Sequence, residues 1–154
     1  MRGQGRKLRK QYATNSGQPD SVVFFIDRSL GGKVVAETLR KAGARVEIHD
    51  SHFSQDARDE EWLSVAGSKK WVVLTKDYKI RYRETERLAL LDAGVRAFVL
   101  TAKDLTGSEI GEVFVKSLRK IYRIINTHQG PFIARITRGG DVSILVEKGI
   151  KKIQ

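Results

Sequence analysis

The chain has 154 residues, no cysteine, two prolines and fourteen glycines; 40% of it is hydrophobic and 31% charged, with a formal net charge of +11. That length suits one domain with a single sizeable core, and the aliphatic content is too high for a disordered chain. Without cysteine there is no disulfide scaffold, thiolate zinc site or cysteine nucleophile. No apolar run approaches the roughly 18 residues of a membrane span, and MRGQGRKLRKQ lacks the apolar core of a secretory signal, so a cytoplasmic protein with no membrane partner is expected.

Residues 1–20 carry five Lys/Arg and one Asp with almost no aliphatic side chains, which predicts a flexible basic arm. SVVFFID, Ser21 to Asp27, is continuously apolar and predicts a strand buried on both faces, ending at Asp27. Ser29 is placed to cap a helix from Leu30 to Ala42, which Gly43 stops. Arg45–His49 alternates like a more exposed edge strand, and residues 50–57 are polar and loop-like; His49 and His52, with Asp50 between them, also have the residue types of metal ligands, but a polar loop is the better reading. Asp59 to Gly67 opens with three acids, favourable at a helix N-terminus, and its last glycine predicts the stop.

Trp71–Thr75 is a second buried strand, followed by Lys76-Asp77. A helix over 84–92 stops at Gly94, and Arg96–Thr101 is a third buried strand. A longer helix runs from Ser108 to about Asn126, with Ile110, Val113, Phe114, Ser117, Leu118, Ile121 and Ile125 on one stripe. Phe132–Arg138, Gly139-Gly140 and Asp141–Val146 then predict a β-hairpin.

Strands alternating with helices predict an α/β fold, a three-layer α/β/α arrangement around a mostly parallel central sheet, with a C-terminal β-hairpin. The expected organisation is the arm at 1–20, an α/β domain over 21–127 and the hairpin appendage at 128–154 packed on the same domain. Charge follows it unevenly. Residues 21–77 hold nine basic and nine acidic residues, whereas residues 78–154 hold fifteen basic and eight acidic. A basic second half beside an acid-bearing first half favours a polyanionic partner.

Sites in such sheets lie beyond the carboxyl ends of the strands. Asp27 ends the first strand there, and Asp77 follows the strand Trp71–Thr75. Asp59 shares a helical face with Leu63 and Ala66, which must meet the sheet, so it points inward at the same rim, while Glu60 looks to solvent. Each alone also serves as a turn or cap residue. Three carboxylates at one rim repel one another unless a cation sits among them, and oxygen-only ligands suit Mg²⁺ or Mn²⁺. Tyr78 and Tyr82, interleaved with Lys76, Lys79, Arg81 and Arg83, have the composition of a surface that stacks bases beside phosphate contacts, and equally that of a solvated basic face.

FFIDRSLGGKVVAETLRKAGARVEIHD followed by ARDEEWLSVAGSKKWVVLTKDYKI resembles the compact PIN-like branch of the PIN-domain ribonucleases, which includes VapC-like toxins of bacterial toxin–antitoxin pairs. The resemblance runs from about Val22 to Thr101. It rests on the strand-ending Asp27, on Asp59-Glu60-Glu61-Trp62 and on Thr75-Lys76-Asp77. It implies a Mg²⁺- or Mn²⁺-dependent endoribonuclease with Asp27, Asp59 and Asp77 as metal-binding, catalytic residues. Its partners would be RNA and a cognate antitoxin, and because such proteins often pair, a homodimer is a further expectation. Lys79, Arg81, Arg83 and Tyr78 are the candidate nucleic-acid contacts. Relatives often carry a further acid two residues after the last Asp, followed by an aromatic. This chain has Lys79 and Ile80 there, which favours the alternative of a non-cleaving module that binds nucleic acid or protein. Glu37 is the nearest counterpart of an acid that longer PIN domains carry.

Overall fold

The computed structural model describes residues 22–147; the basic arm and the last seven residues lie outside them. One six-stranded sheet runs in the order β2-β1-β3-β4-β5-β6. Its strands are β1 (Val23–Ile26), β2 (Arg45–Ile48), β3 (Val72–Thr75), β4 (Arg96–Leu100), β5 (Phe132–Ile136) and β6 (Val142–Glu147). The first five are parallel to their neighbours, and β6 returns antiparallel on β5. The architecture is therefore the α/β sheet expected, and the hairpin extends it, since β5 pairs with β4 from Arg96↔Phe132 to Leu100↔Ile136.

The helices are α1 (Lys33–Lys41), α2 (Asp59–Lys69), α3 (Tyr78–Tyr82), α4 (Glu84–Asp92) and α5 (Gly107–Thr127). Strand alternation sends Phe24, Ile26, Leu74, Phe98 and Leu100 to one face of the sheet, where α1 and α5 bury Val35, Leu39, Phe114 and Ile121 against them. Phe25, Val73, Ala97 and Val99 face the other way, under Trp62, Leu63, Ala66, Leu90 and Leu91 of α2 and α4. Burial on both faces is why these strands read as unbroken apolar runs.

Two helices differ from expectation. Helix α1 starts at Lys33, not Leu30, because a 3₁₀ turn over Arg28–Leu30 is followed by Gly31 and Gly32 at φ +89° and +109°. That left-handed backbone breaks the helical path, and glycine adopts it without steric cost. Helix α2 runs past Gly67 to Lys69 and closes on Lys70 in the left-handed conformation. Gly67 is instead a contact point, where a β-carbon would collide with the carbonyl oxygen of Ala93 at the end of α4. A third element, α3, is a single five-residue turn that periodicity did not announce.

Candidate active site at the carboxyl rim

The chain leaves β1 toward β2 on one side and returns to place β3 on the other, so strand order reverses between β1 and β3. In open α/β sheets the crevice beyond the carboxyl ends at such a reversal is where ligands bind. Here it is a cleft of about 510 Å³, and Asp27, Asp59 and Asp77 all line it. They come from three different elements: Asp27 directly follows β1, Asp59 is the first residue of α2, and Asp77 caps α3.

Asp27 is nearly buried, at 8% exposure, and its Oδ2 accepts hydrogen bonds from the Ser29 hydroxyl at 2.8 Å and the Thr75 hydroxyl at 2.7 Å. Both hydroxyls are themselves acceptors, Ser29 from the Lys76 N–H at 3.1 Å and Thr75 from the Asp77 N–H at 3.0 Å. A buried carboxylate oxygen is thus tied to the backbone of the β3–α3 connection through two hydroxyls. This use of Ser29 corrects its reading as a helix cap: no side chain caps α1, and Ser29 belongs to the rim.

Asp59 is partly exposed and its Oδ1 accepts from the indole N–H of Trp62 at 3.0 Å. Glu60 is exposed, as helical phase requires. The Oδ1 of Asp77 accepts from the Lys79 N–H at 3.0 Å, and its Oδ2 lies 3.8 Å from the Lys79 ammonium. The cleft lining contains four acids, the three above with Asp50, and two cations, Arg28 and Lys79. Arg28 donates from its guanidinium to the Gln55 carbonyl, tying the 3₁₀ turn after β1 to the loop before α2.

The donor chemistry fits a hard divalent ion. All three carboxylates are oxygen ligands on one cleft, and Asp27 and Asp59 each keep an oxygen that accepts no hydrogen bond among the described residues. Their spacing is that of an open cleft: among the described residues no three His, Asp or Glu side chains stand close enough together to enclose an ion.

The remaining candidates fall as follows. Lys79 lines the cleft, and Arg83 is exposed at the end of α3. Tyr78 and Arg81 lie on α3, and their side chains are outside those described. Glu37 is exposed on α1. His49 corrects the polar-loop reading. It is fully buried in a 3₁₀ turn, its ring 5.4 Å from Phe53 and 6.1 Å from Phe25, its Nδ1 3.1 Å from Asp50 and its Nε2 with no partner among the described residues. Alternation alone assigned His49 to a strand end and could not reveal the aromatic neighbours that cover it. Ser29, Thr75, Arg28 and Asp50 were not among the predicted site residues, although Thr75 stood in the motif Thr75-Lys76-Asp77.

A family model described as a PIN like domain matches residues 22–102. The chain belongs to the PIN-like family. That match spans β1 to β4 and every residue of the cleft. A protein of Mycobacterium tuberculosis named "Putative ribonuclease VapC45" is 31% identical over 126 residues, covering 79% of this chain and 91% of the relative. No solved structure matches. No helix among the described residues is long and apolar enough to cross a membrane.

Proposed function

We propose that this PIN-like protein is a Mg²⁺- or Mn²⁺-dependent endoribonuclease, the toxin of a toxin–antitoxin pair, that hydrolyses RNA phosphodiesters at the β1–β3 cleft. The observation that carries the reading is the convergence of Asp27, Asp59 and Asp77, from three separate elements, on one cleft at the topological reversal. Nothing in the packing of a sheet requires three carboxylates there. The mycobacterial relative, a ribonuclease by its printed name, supports the reaction class.

A hard divalent ion in such a donor set supplies Lewis acidity at a phosphodiester oxygen and makes water more acidic. The protein's part is to hold the three carboxylates. Ser29 and Thr75 fix Asp27 through Oδ2 and leave Oδ1 without a hydrogen bond among the described residues. Trp62 orients Asp59, and the Lys79 N–H orients Asp77. Lys79 and Arg28, the two cations of the lining, neutralise the phosphate that must approach four acids. Arg81, Arg83 and the basic arm add backbone attraction. A cognate antitoxin that masks the cleft and pairing into a homodimer complete the proposal.

The test is cleavage of a mixed tRNA and mRNA pool with Mg²⁺ or Mn²⁺, with Asp77→Asn and an EDTA control alongside. Asn keeps the shape of the side chain and removes its charge, so cleavage is expected to vanish in both controls. Cleavage that survives Asp77→Asn overturns the assignment of the site. The ammonium of Lys79, 3.8 Å from Asp77, favours a second reading, a PIN-like module that binds RNA or protein without cutting it. Such a module melts at the same temperature in EDTA and in Mn²⁺, whereas an ion-binding cleft is stabilised by Mn²⁺.

A further inference from the structure

Helix α5 carries four cations that neither its packing nor its dipole explains. At 3.6 residues per turn, Lys116, Arg119, Lys120 and Arg123 fall within an arc of about 100°, opposite the buried stripe of Phe114, Ile121 and Ile125. All four are exposed. Among the described residues only Lys120 has an acidic partner, Asp141 at 3.4 Å, and that carboxylate is itself exposed. Lys116 lays its methylenes along Gly140 of the hairpin turn, and the exposed Arg138 lines one groove with it. The acids of the helix, Glu109 and Glu112, come before the cations, and Glu109 is engaged in the cap through the Thr106 N–H at 2.8 Å. A helix dipole favours cations within the last turn, yet the last turn of α5 holds no basic residue. Tyr122 turns inward against Phe24, so the exposed arc has no ring on which a base could stack. A row of ammonium and guanidinium donors without a stacking surface meets phosphates, not bases. A double helix offers phosphates at high linear density, and each one neutralised releases counterions.

We propose that this face of α5, with Arg138 beside it, binds the sugar-phosphate backbone of double-stranded RNA at a site separate from the cleft. No residue of α5 lines the cleft. The helix packs on the face of the sheet opposite α2, whose Asp59 does. An RNA cut at the cleft is then held at a second place, by a paired segment and without regard to its sequence.

Binding is measured in EDTA by the anisotropy of a labelled blunt RNA duplex of about 16 base pairs, over about 0.05–0.2 M salt. Removing two phosphate contacts with Arg119→Gln/Arg123→Gln should make the dependence of log Kd on log salt shallower by about 1.8, and weaken binding at 0.1 M at least about tenfold. Arg119→Lys/Arg123→Lys keeps both charges and should restore the slope. Lys41→Gln/Lys103→Gln removes the same charge from exposed positions off α5 and should leave the slope unchanged. Gln is a good helix former, so all variants should melt with the wild type, which thermal scans check. A wild-type chain that binds no duplex overturns the proposal, as does a slope that falls in neither double Gln variant or equally in both. So does a loss confined to a labelled polyglutamate peptide, which would assign the face to an acidic protein segment. Cleavage of a short unpaired oligonucleotide with Mn²⁺ reports on the cleft separately. If the wild type binds the duplex through α5 and cuts nothing, the cleft reading fails and the duplex site stands.

Discussion

On one face of the sheet, α1 and α5 lay aliphatic side chains and Phe114 over Phe24, Ile26 and Leu74. On the other, α2 and α4 close over Phe25 and Trp71, and Trp62 of α2 ends in a hydrogen bond to Asp59 of the cleft. Phe25 stacks on Trp71 at 5.3 Å and on Trp62 at 5.5 Å, and meets His49 and Phe53 as well. The aliphatic face is held by shape and burial alone. The aromatic face couples packing to the cleft, because the ring that fills the core also orients a carboxylate.

The comparison predicts that damage to the first face costs stability, while damage to the second costs cleavage. Phe114 is fully buried on the aliphatic side, and Phe114→Ala should lower unfolding free energy in urea by about 3–5 kcal/mol. The folded fraction should cut RNA at the wild-type rate, and a slower rate per folded molecule would break the comparison. Gly67→Ala, on the aromatic side, forces a β-carbon against the Ala93 carbonyl and should cost about 3 kcal/mol, the upper part of the range for overpacking. Here the loss of cleavage should exceed the loss of folded protein.

Thr75→Val keeps the shape and removes a hydroxyl that donates to Asp27 and accepts from the Asp77 N–H. About 2 kcal/mol of stability should go with it, and Thr75→Ser should restore both stability and cleavage. Trp62→Phe retains an aromatic ring and loses the bond to Asp59, for about 1 kcal/mol and a larger relative fall in cleavage.

The smallest effect at neutral pH concerns Tyr122, buried beside Phe24 with its phenol pushed up to about 12 by desolvation. A folded-state value above the unfolded one gives stability that is complete below about pH 10 and is lost as pH rises through about 12. Tyr122→Phe should flatten that alkaline decline without altering stability at pH 7, as thermal melts between pH 8 and 12 would show.

The sequence made the sheet legible wherever strands are buried on both faces, since VVFFI, WVVLT and RAFVL can hardly lie anywhere else. Helical phase was enough to turn Asp59 inward and Glu60 outward. What it could not supply were contacts between residues far apart in the chain. The bond from Thr75 to Asp27 spans 48 positions, and that from Lys76 to Ser29 spans 47. Ser29 looked like a cap because capping is the commonest local use of a serine before a helical run. The double glycine at 31–32 diverted the chain, and the hydroxyl went to Asp27 instead. Helix α3 is too short to display a period, and His49 is buried by rings that the chain brings together only through β1 and the loop before α2.

The contact between Gly67 and Ala93 has a mechanical consequence for the cleft. It pins α2 near one end, and Asp59 is at the other, eight residues or about 12 Å along the axis. With a lever arm of about 12 Å, a tilt of about 5° around the pin carries the Asp59 end of the helix about 1 Å across the cleft opening. The distance from Asp59 to Asp27 and Asp77 is thus set in part at a glycine at the opposite end of the helix.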